Sequence, residues 1–240
     1  MEIKLWKKPK NVILIEGFPG FGLVGTIATE FLMDHLKTEM IGKIFFDDMP
    51  PMIAIHDGKI VEPLGIFYNK EYNLTILHAV TASAGLEWKI SEVVFELAKM
   101  LTAKEIICLE GVGSGQPEAQ LTTSNQNFFH TTNLKLAEKL AKLKITPLKE
   151  GIIMGVTGAM LVKGDSIPVT AIFSETATNL PDSKAAANII SAIDKYLGLK
   201  VDPKPLLQKA EDVEEKLKDL MSKSQEASEM ADKKKLSYVG

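Results

Sequence analysis

The sequence contains no arginine, because all 28 of its basic residues are lysine. Such a chain lacks the planar guanidinium group that holds guanine or phosphate through two parallel hydrogen bonds. The net charge of −3 at pH 7 adds no basic surface, and no cluster of lysines has the length typical of a nucleic-acid patch. The composition therefore disfavours specific DNA recognition, and we expect no nucleic-acid partner.

Cysteine is scarce as well, since Cys108 is the single one in 240 residues. One cysteine excludes a disulfide within the chain. Cys108 lies in the apolar run 106–109, which is typical of a small buried hydrophobic residue rather than a reactive thiol. This cysteine usage indicates a reducing cytoplasm.

Long hydrophobic runs and metal-binding motifs are also missing. The first apolar run, 12–15, is far too short for a signal sequence or a membrane span, so we expect no membrane partner. The four histidines are widely separated, and the spacings H-x-x-x-H and H-E-x-x-H typical of zinc sites do not occur. We therefore expect neither a metal nor another cofactor.

What the sequence does contain is an alternation of short apolar runs and amphipathic stretches. This alternation predicts βαβ units, and hence an α/β fold with a mainly parallel sheet in a three-layer αβα sandwich. The last helix has Asp182 as its predicted N-cap and Gly198 just past its end. The main predicted strands are 11–15, 40–46, 74–80, 105–110, 152–156 and 168–174, with shorter hairpin strands at 52–56, 60–61 and 65–68. The main predicted helices are 23–36, 87–101, 133–142 and 182–197.

Glycine-rich turns follow three of the predicted strands. Between the first strand and first helix, Gly20, Gly22 and Gly25 form the pattern G-x-G-x-x-G, whose backbone N–H groups can hold a pyrophosphate at a helix start. In open α/β sheets this edge is where ligands bind. One alternative function is therefore a nucleotide- or nucleoside-binding enzyme that uses these rim loops.

Catalytic motifs give this alternative little support. Neither the P-loop pattern nor the G-x-S-x-G turn of a nucleophilic serine occurs. Glu110 and Glu175 both end predicted strands, where two carboxyl groups can serve as acid and base or can simply accept hydrogen bonds from loop N–H groups. We therefore expect a protein that is not an enzyme.

The composition changes near residue 199. Two prolines in 200–205 predict a linker, and 206–235 contains neither glycine nor proline. We predict an α/β domain over 1–199, and over 200–240 a linker with an amphipathic helical arm. A lone helix of this kind is marginal in water, so its apolar stripe needs a partner surface or the core of its own chain. The stripe has heptad spacing and consists of Leu206, Ala210, Val213, Leu217 and Leu220.

Four segments, in order, resemble the proteasome-assembly-chaperone 2 (PAC2) family. They are the glycine loop 17–25, the Leu-Glu-Gly-Val-Gly stretch 109–113, the Gly-Ile-Ile-Met-Gly-Val-Thr-Gly stretch 151–158, and 174–187 with its Ser-Glu-Thr and Leu-Pro-Asp motifs. Together they place the resemblance over about residues 9–198. The motif residues of these loops are Gly17, Gly20, Gly22, Gly25, Gly111, Gly113, Gly155, Gly158, Glu175, Pro181 and Asp182.

The resemblance implies an αβα fold like that of nucleoside phosphorylases and an ATP-independent role in assembling proteasome α-rings. It also implies a homo-oligomer that binds proteasome α subunits, the 20S proteasome or a paralogue of the same family. Some archaeal members end in a hydrophobic-Tyr-X tail that docks between α subunits. Here Tyr238 is third from the end, where that motif has its tyrosine second, and Ser237 precedes it.

The residues predicted to bind a partner lie in the arm and the tail. An exposed apolar stripe would hold α subunits or unfolded clients through apolar contacts, and an aromatic side chain near a free carboxylate suits a lysine-lined pocket. A further alternative is a structural scaffold protein with no role in proteasome assembly. The predicted partner-binding residues are Leu206, Val213, Leu217, Leu220, Met221, Tyr238, Val239 and Gly240.

Overall fold

The computed structural model describes most of the chain and shows one large sheet, a small separate hairpin and helices. The described residues are 2–46, 54–56, 59–80, 85–113, 126–164, 166–176, 180–208, 210, 212, 214–215, 217–219 and 222. The strands of the large sheet are β1 (Glu2–Leu5), β2 (Ile13–Gly17), β3 (Glu39–Phe45), β6 (Leu64–Asn69), β7 (Leu74–Ala79), β8 (Glu105–Gly113), β9 (Asn127–Thr131), β10 (Thr146–Pro147) and β11 (Val169–Thr176). The hairpin pairs β4 (Ala54–His56) with β5 (Lys59–Val61). The helices are α1 (Val24–His35), α2 (Glu87–Met100), α3 (Leu134–Lys142), α4 (Gly155–Lys163), α5 (Ser183–Leu197) and α6 (Lys204–Gln208), with a 3-10 turn at Phe21–Leu23 before α1.

The large sheet is mixed. Its strand order is β1, β3, β6, β7, β2, β8, β11, β9, β10. The centre, from β7 through β2 and β8 to β11, is parallel, whereas β1, β3 and β6 add antiparallel strands on one side and β9 pairs antiparallel with β11 on the other. The predicted parallel sheet is therefore confirmed only for the centre, where both faces are covered and the strands are almost continuously apolar.

Helices cover both faces of this sheet, so the predicted three layers are present. Because side chains alternate along a strand, Ile15 of β2 faces the layer of α1, α3 and α5, whereas Leu14 faces the layer of α2 and α4. Both side chains are fully buried. None of the described helices combines the length and the apolarity that crossing a membrane requires.

One predicted strand is wrong and three strands were not foreseen. Residues 152–156 form no strand, because the chain stays irregular through Met154 and α4 begins at Gly155. The apolar side chain of Ile152 is 84% exposed, so a hydrophobic run here does not mark the core. The strands β1, β9 and β10 lie at or near the sheet edges, and their partners are distant in sequence.

Both ends of α5 agree with the sequence prediction. The carboxylate of Asp182 accepts a hydrogen bond from the Ala185 N–H at 2.9 Å, as an N-cap does. The helix ends at Leu197 and is followed by Gly198, whose φ of 71° lies in the left-handed region that glycine adopts easily.

The start of the C-terminal segment packs against the chain's own core. Leu206 and Leu217 are each only 3% exposed and join the apolar cluster under α1 and α5. The Ser183 N–H at the start of α5 donates to Glu214 Oε1 at 3.0 Å. Of the two alternatives for the apolar stripe, a partner surface or the core of its own chain, the structure shows the second for Leu206 and Leu217, because their own core covers them. The other predicted partner residues, Val213, Leu220, Met221, Tyr238, Val239 and Gly240, lie outside the described residues.

Candidate functional site

The four motif segments meet at one edge of the sheet, where β2, β8 and β11 end. Close backbone packing brings them together, because a Cβ atom added at Gly17 would overlap Gly25, and one added at Gly25 would overlap the Leu109 carbonyl oxygen. A Cβ atom at Gly111 would overlap the Phe21 carbonyl oxygen. These glycines let α1 and its preceding loop lie directly on β2 and β8.

Asp182 joins three elements at this edge. Its backbone N–H donates to the Gly22 carbonyl oxygen at 2.9 Å, and its Oδ2 accepts a hydrogen bond from the Thr176 hydroxyl at 2.9 Å. Gly22 has a φ of 62°, and a Cβ atom there would overlap the Thr176 hydroxyl. The motif residues Gly22 and Asp182 therefore hold the first glycine loop against the end of β11 and the start of α5.

Two acidic side chains lie under the first loop. Glu16 of β2 stands opposite Cys108 of β8, and Glu110 follows Cys108 by two residues, so it is on the same face of β8. The Thr157 hydroxyl, at the start of α4, donates to Glu110 Oε2 at 3.0 Å. Neither carboxyl oxygen of Glu16 has a hydrogen-bond partner of normal geometry among the described residues.

Burial keeps these acids protonated at higher pH than usual, because a charged carboxylate is poorly solvated in the interior. It raises the pKa of Glu16 to about 7, and the nearby Cys108, Phe18 and Thr157 oppose this rise only in part. Burial and then the charge of Glu16 raise the pKa of Glu110 to about 8. Burial, followed by the charge of Glu16, also raises the pKa of the Cys108 thiol, so this cysteine is no ready nucleophile.

The structure pairs Glu110 differently from the sequence hypothesis. In the β8–β11 ladder Glu110 stands beside Phe173, and Glu175 stands beside Val112. Glu110 and Glu175 share a face of the sheet but are offset by two residues along the ladder. The acid whose charge raises the pKa of Glu110 is instead Glu16. Sequence reasoning missed Glu16. A glutamate that ends the apolar run 12–15 in phase with the buried Leu14 is the signal that would have found it.

A pocket of about 190 Å³ opens beside Glu110. Its walls come from the first loop, the end of β8 and the start of α4, and the exposed Ile152 and Met154 stand among them. Among the described residues that line it, Glu110 is the only ionisable one. The remaining lining residues are Phe18, Pro19, Gly20, Phe21, Gly111, Val112, Ile153, Gly155 and Val156.

The same geometry counts against phosphate at the G-x-G-x-x-G loop. A Cβ atom at Gly20 would overlap Glu110 Oε1, so the loop glycine lies directly on a carboxyl group. Asp182 binds the same loop at Gly22. The Glu110 carboxyl group therefore occupies the space beside Gly20 that a pyrophosphate would need, and once ionised it would repel a phosphate at close range.

The histidines give no metal site in the described part of the chain. His78 is buried and its Nδ1 lies 2.8 Å from the Thr29 hydroxyl, consistent with a structural interior residue. Among the residues that the structure describes, no three or more His, Cys, Asp or Glu side chains are grouped so that they could hold a metal ion.

Comparison with known proteins gives consistent matches along the chain. The model of the PAC2 family matches residues 14–221, which passes the predicted domain boundary at 199. The crystal structure of Pyrococcus furiosus PbaA, described as an archaeal homolog of proteasome-assembly chaperone, is 31% identical, covers 95% of this chain and 100% of its own, and has a TM-score of 0.82. The structure of PbaB from the same organism, described as an archaeal proteasome activator, is 21% identical, with coverage of 91% and 98% and a TM-score of 0.74. An uncharacterised protein of Methanocaldococcus jannaschii is 26% identical over 213 residues, which is 88% of this chain and 86% of the relative.

Proposed function

Because the chain belongs to the PAC2 family, we propose that it acts as a proteasome-assembly chaperone that needs neither ATP nor a catalytic residue. The observation that carries the proposal is the similarity to PbaA, which extends over nearly the whole of both chains. In this proposal the protein forms a homo-oligomer. It binds proteasome α subunits, alone or with a paralogue of the same family, and holds them or unfolded clients until they assemble.

The C-terminal segment is the proposed partner-binding region, although two of its apolar side chains pack in the core of the chain itself. Leu206 and Leu217 anchor the segment to the core, so partner binding falls to Val213, Leu220 and Met221 and to Tyr238, Val239 and Gly240. Anchoring the base of the segment reduces the conformational entropy that is lost when its remainder binds a partner.

A pull-down with purified proteasome α subunits tests this proposal. The full chain and a chain that ends at Ser222 are compared, because the shorter chain keeps Leu217 and therefore the packing of the segment's base. We expect the full chain to retain α subunits and the shorter chain to lose at least tenfold in affinity. Tyr238→Ala should cause most of that loss, whereas Met230→Ala in the same segment should cause little.

The structural-scaffold alternative predicts a different pattern. Light scattering would still show an oligomer, but the α subunits would not be retained by the full chain under any condition. Equal retention by the full and shortened chains would instead keep the chaperone role and reject Tyr238, Val239 and Gly240 as binding residues, because the shortened chain still contains Val213, Leu220 and Met221.

A further inference from the structure

We propose that the rim pocket binds a small apolar amine, whose ammonium group pairs with the carboxylate of Glu110. This site is separate from the C-terminal segment and does not depend on the proposed role in proteasome assembly. The residues that form it belong to β8, the start of α4, the loop that follows β2 and the segment that precedes α4.

The size of the pocket limits the ligand. Its volume of about 190 Å³ is slightly larger than an apolar cavity of about 150 Å³, which is known to admit benzene. The pocket therefore accepts a body of about one ring. Two of its lining side chains, Phe18 and Phe21, are aromatic, and aromatic rings attract cations through their faces.

The charge in the pocket selects an amine from among ring-sized molecules. The charge that acts on Glu110 is that of another acid, Glu16, and Glu175 of β11 is on the same sheet face. The neighbours of Glu110 from β8 and α4 are the thiol of Cys108 and the hydroxyl of Thr157, which supply no positive charge. A buried carboxylate is stabilised by an opposite charge, so an ammonium group matches this site.

Two contacts fix the position of the Glu110 carboxyl group. Gly20 lies on Oε1, where any Cβ atom would overlap the carboxyl group, and Thr157 donates to Oε2. Glu110 also lines the pocket, and the largely exposed Met154 stands at the pocket mouth. An anion would be repelled by Glu16 and Glu110 once they ionise, and a neutral apolar molecule would leave the carboxyl group without a new partner.

Isothermal titration of the full-length protein with benzylamine tests the site, with benzyl alcohol as the neutral ligand of similar shape. We expect saturable binding of benzylamine and at least tenfold weaker binding of the alcohol. The affinity for benzylamine should rise from about pH 6 to about pH 8, because Glu110 must lose its proton to form the ion pair. Titrations in buffers of different ionisation enthalpy should therefore show proton release.

Two variants and a control decide the role of the pocket. Glu110→Gln should weaken benzylamine binding at least tenfold and abolish its rise with pH, whereas Glu150→Gln, at an exposed position outside the pocket, should leave both unchanged. Met154→Trp narrows the mouth from an exposed position, so it tests occupancy without disturbing the core. Equal binding of amine and alcohol, unchanged binding by Glu110→Gln or Met154→Trp, or no saturable binding at all would overturn the proposal, whatever the pull-down with α subunits shows.

Discussion

At the residue scale, Glu16 is a carboxylic acid held in an apolar interior. It is 1% exposed and its pKa is raised from 4.5 to about 7. Between these two values the folded protein keeps a proton that the unfolded chain has already released. The folded state binds more protons there, so the free energy of unfolding falls as the pH rises through this window. The stabilising contribution of protonated Glu16 is complete below about pH 4.5 and lost above about pH 7.

Glu16→Gln should remove this pH dependence, because glutamine has the shape of the protonated acid and no charge to bury. We expect the variant to gain stability over the parent at about pH 8, by on the order of 3 kcal/mol, and to gain little at about pH 4.5. Thermal unfolding at both pH values measures the difference. Glu96→Gln, at an exposed position on α2, is the matched control, and a gain that is equal at both pH values would contradict the assignment.

Gly22 shows how a missing side chain shapes the rim. Its φ is 62° and the space beyond its Cα is filled by Thr176, so Gly22→Ala combines a left-handed backbone with a steric overlap. We expect a loss of about 2 kcal/mol or more in the free energy of unfolding, measured by urea denaturation. Gly151→Ala should cost much less, since the added methyl group would meet only the Leu148 side chain at 3.5 Å. Similar losses in both variants would contradict this explanation, because the positive φ and the overlap with Thr176 occur only at Gly22.

At the element scale, the start of the C-terminal segment belongs to the core. Leu217 contributes to the cluster under α1 and α5, and Glu214 accepts the Ser183 N–H. The positive end of the α5 dipole adds to the attraction between Glu214 and this N-terminus. The helical part of the C-terminal segment would be marginal alone. It is stabilised by the packing of Leu217 in the core and by the contact of Glu214 with the start of α5.

Leu217→Ala should lower the free energy of unfolding by about 2 to 5 kcal/mol, as large-to-small changes in cores do. Lys218→Ala, at the adjacent exposed position, should change it by less than about 0.5 kcal/mol. Chemical denaturation of both variants makes the comparison. If Leu217→Ala were as harmless as Lys218→Ala, Leu217 would not contribute to the core.

At the scale of the whole molecule, the parallel centre of the sheet fixes where a site forms. The strands β2, β8 and β11 all end at the rim, so their loops and the start of α4 converge there, as in other open α/β sheets. The C-terminal segment packs on the face of α1 and α5, whereas the pocket lies on the face of α4. Partner binding by the segment and ligand binding at the rim can therefore be disturbed separately.

Two truncations test the domain boundary predicted at residue 199. A chain that ends at Ser222 keeps Leu206 and Leu217 and should unfold at nearly the temperature of the full chain. A chain that ends at Leu199 uncovers the apolar surface that these two side chains bury, and it should lose about 3 to 6 kcal/mol. Thermal unfolding of all three chains is the measurement. Equal stability of the shortest and full chains would support a boundary at 199.

Local patterns identified what depends on neighbours in sequence. The caps of α5, Asp182 and Gly198, were predicted correctly because capping is decided within one helical turn. The run 152–156 was misread as a strand because an apolar run has the same pattern in the core and at an exposed pocket mouth. The strands β1 and β9 were missed because their stability comes from pairing with β3 and β11, far away in the chain.

The sequence by itself determined the family, the α/β class and the meeting of the glycine motifs at one rim, because motif order and hydrophobic periodicity are local properties of the chain. Only the tertiary structure decided that Glu16 acts on Glu110, that the outer strands run antiparallel, and that Leu206 and Leu217 are buried in their own core. Each of these depends on which distant segments come into contact, and the physical reason is burial. Contact with distant residues removes water from an acid or an apolar side chain, and no local pattern specifies which surface will do so.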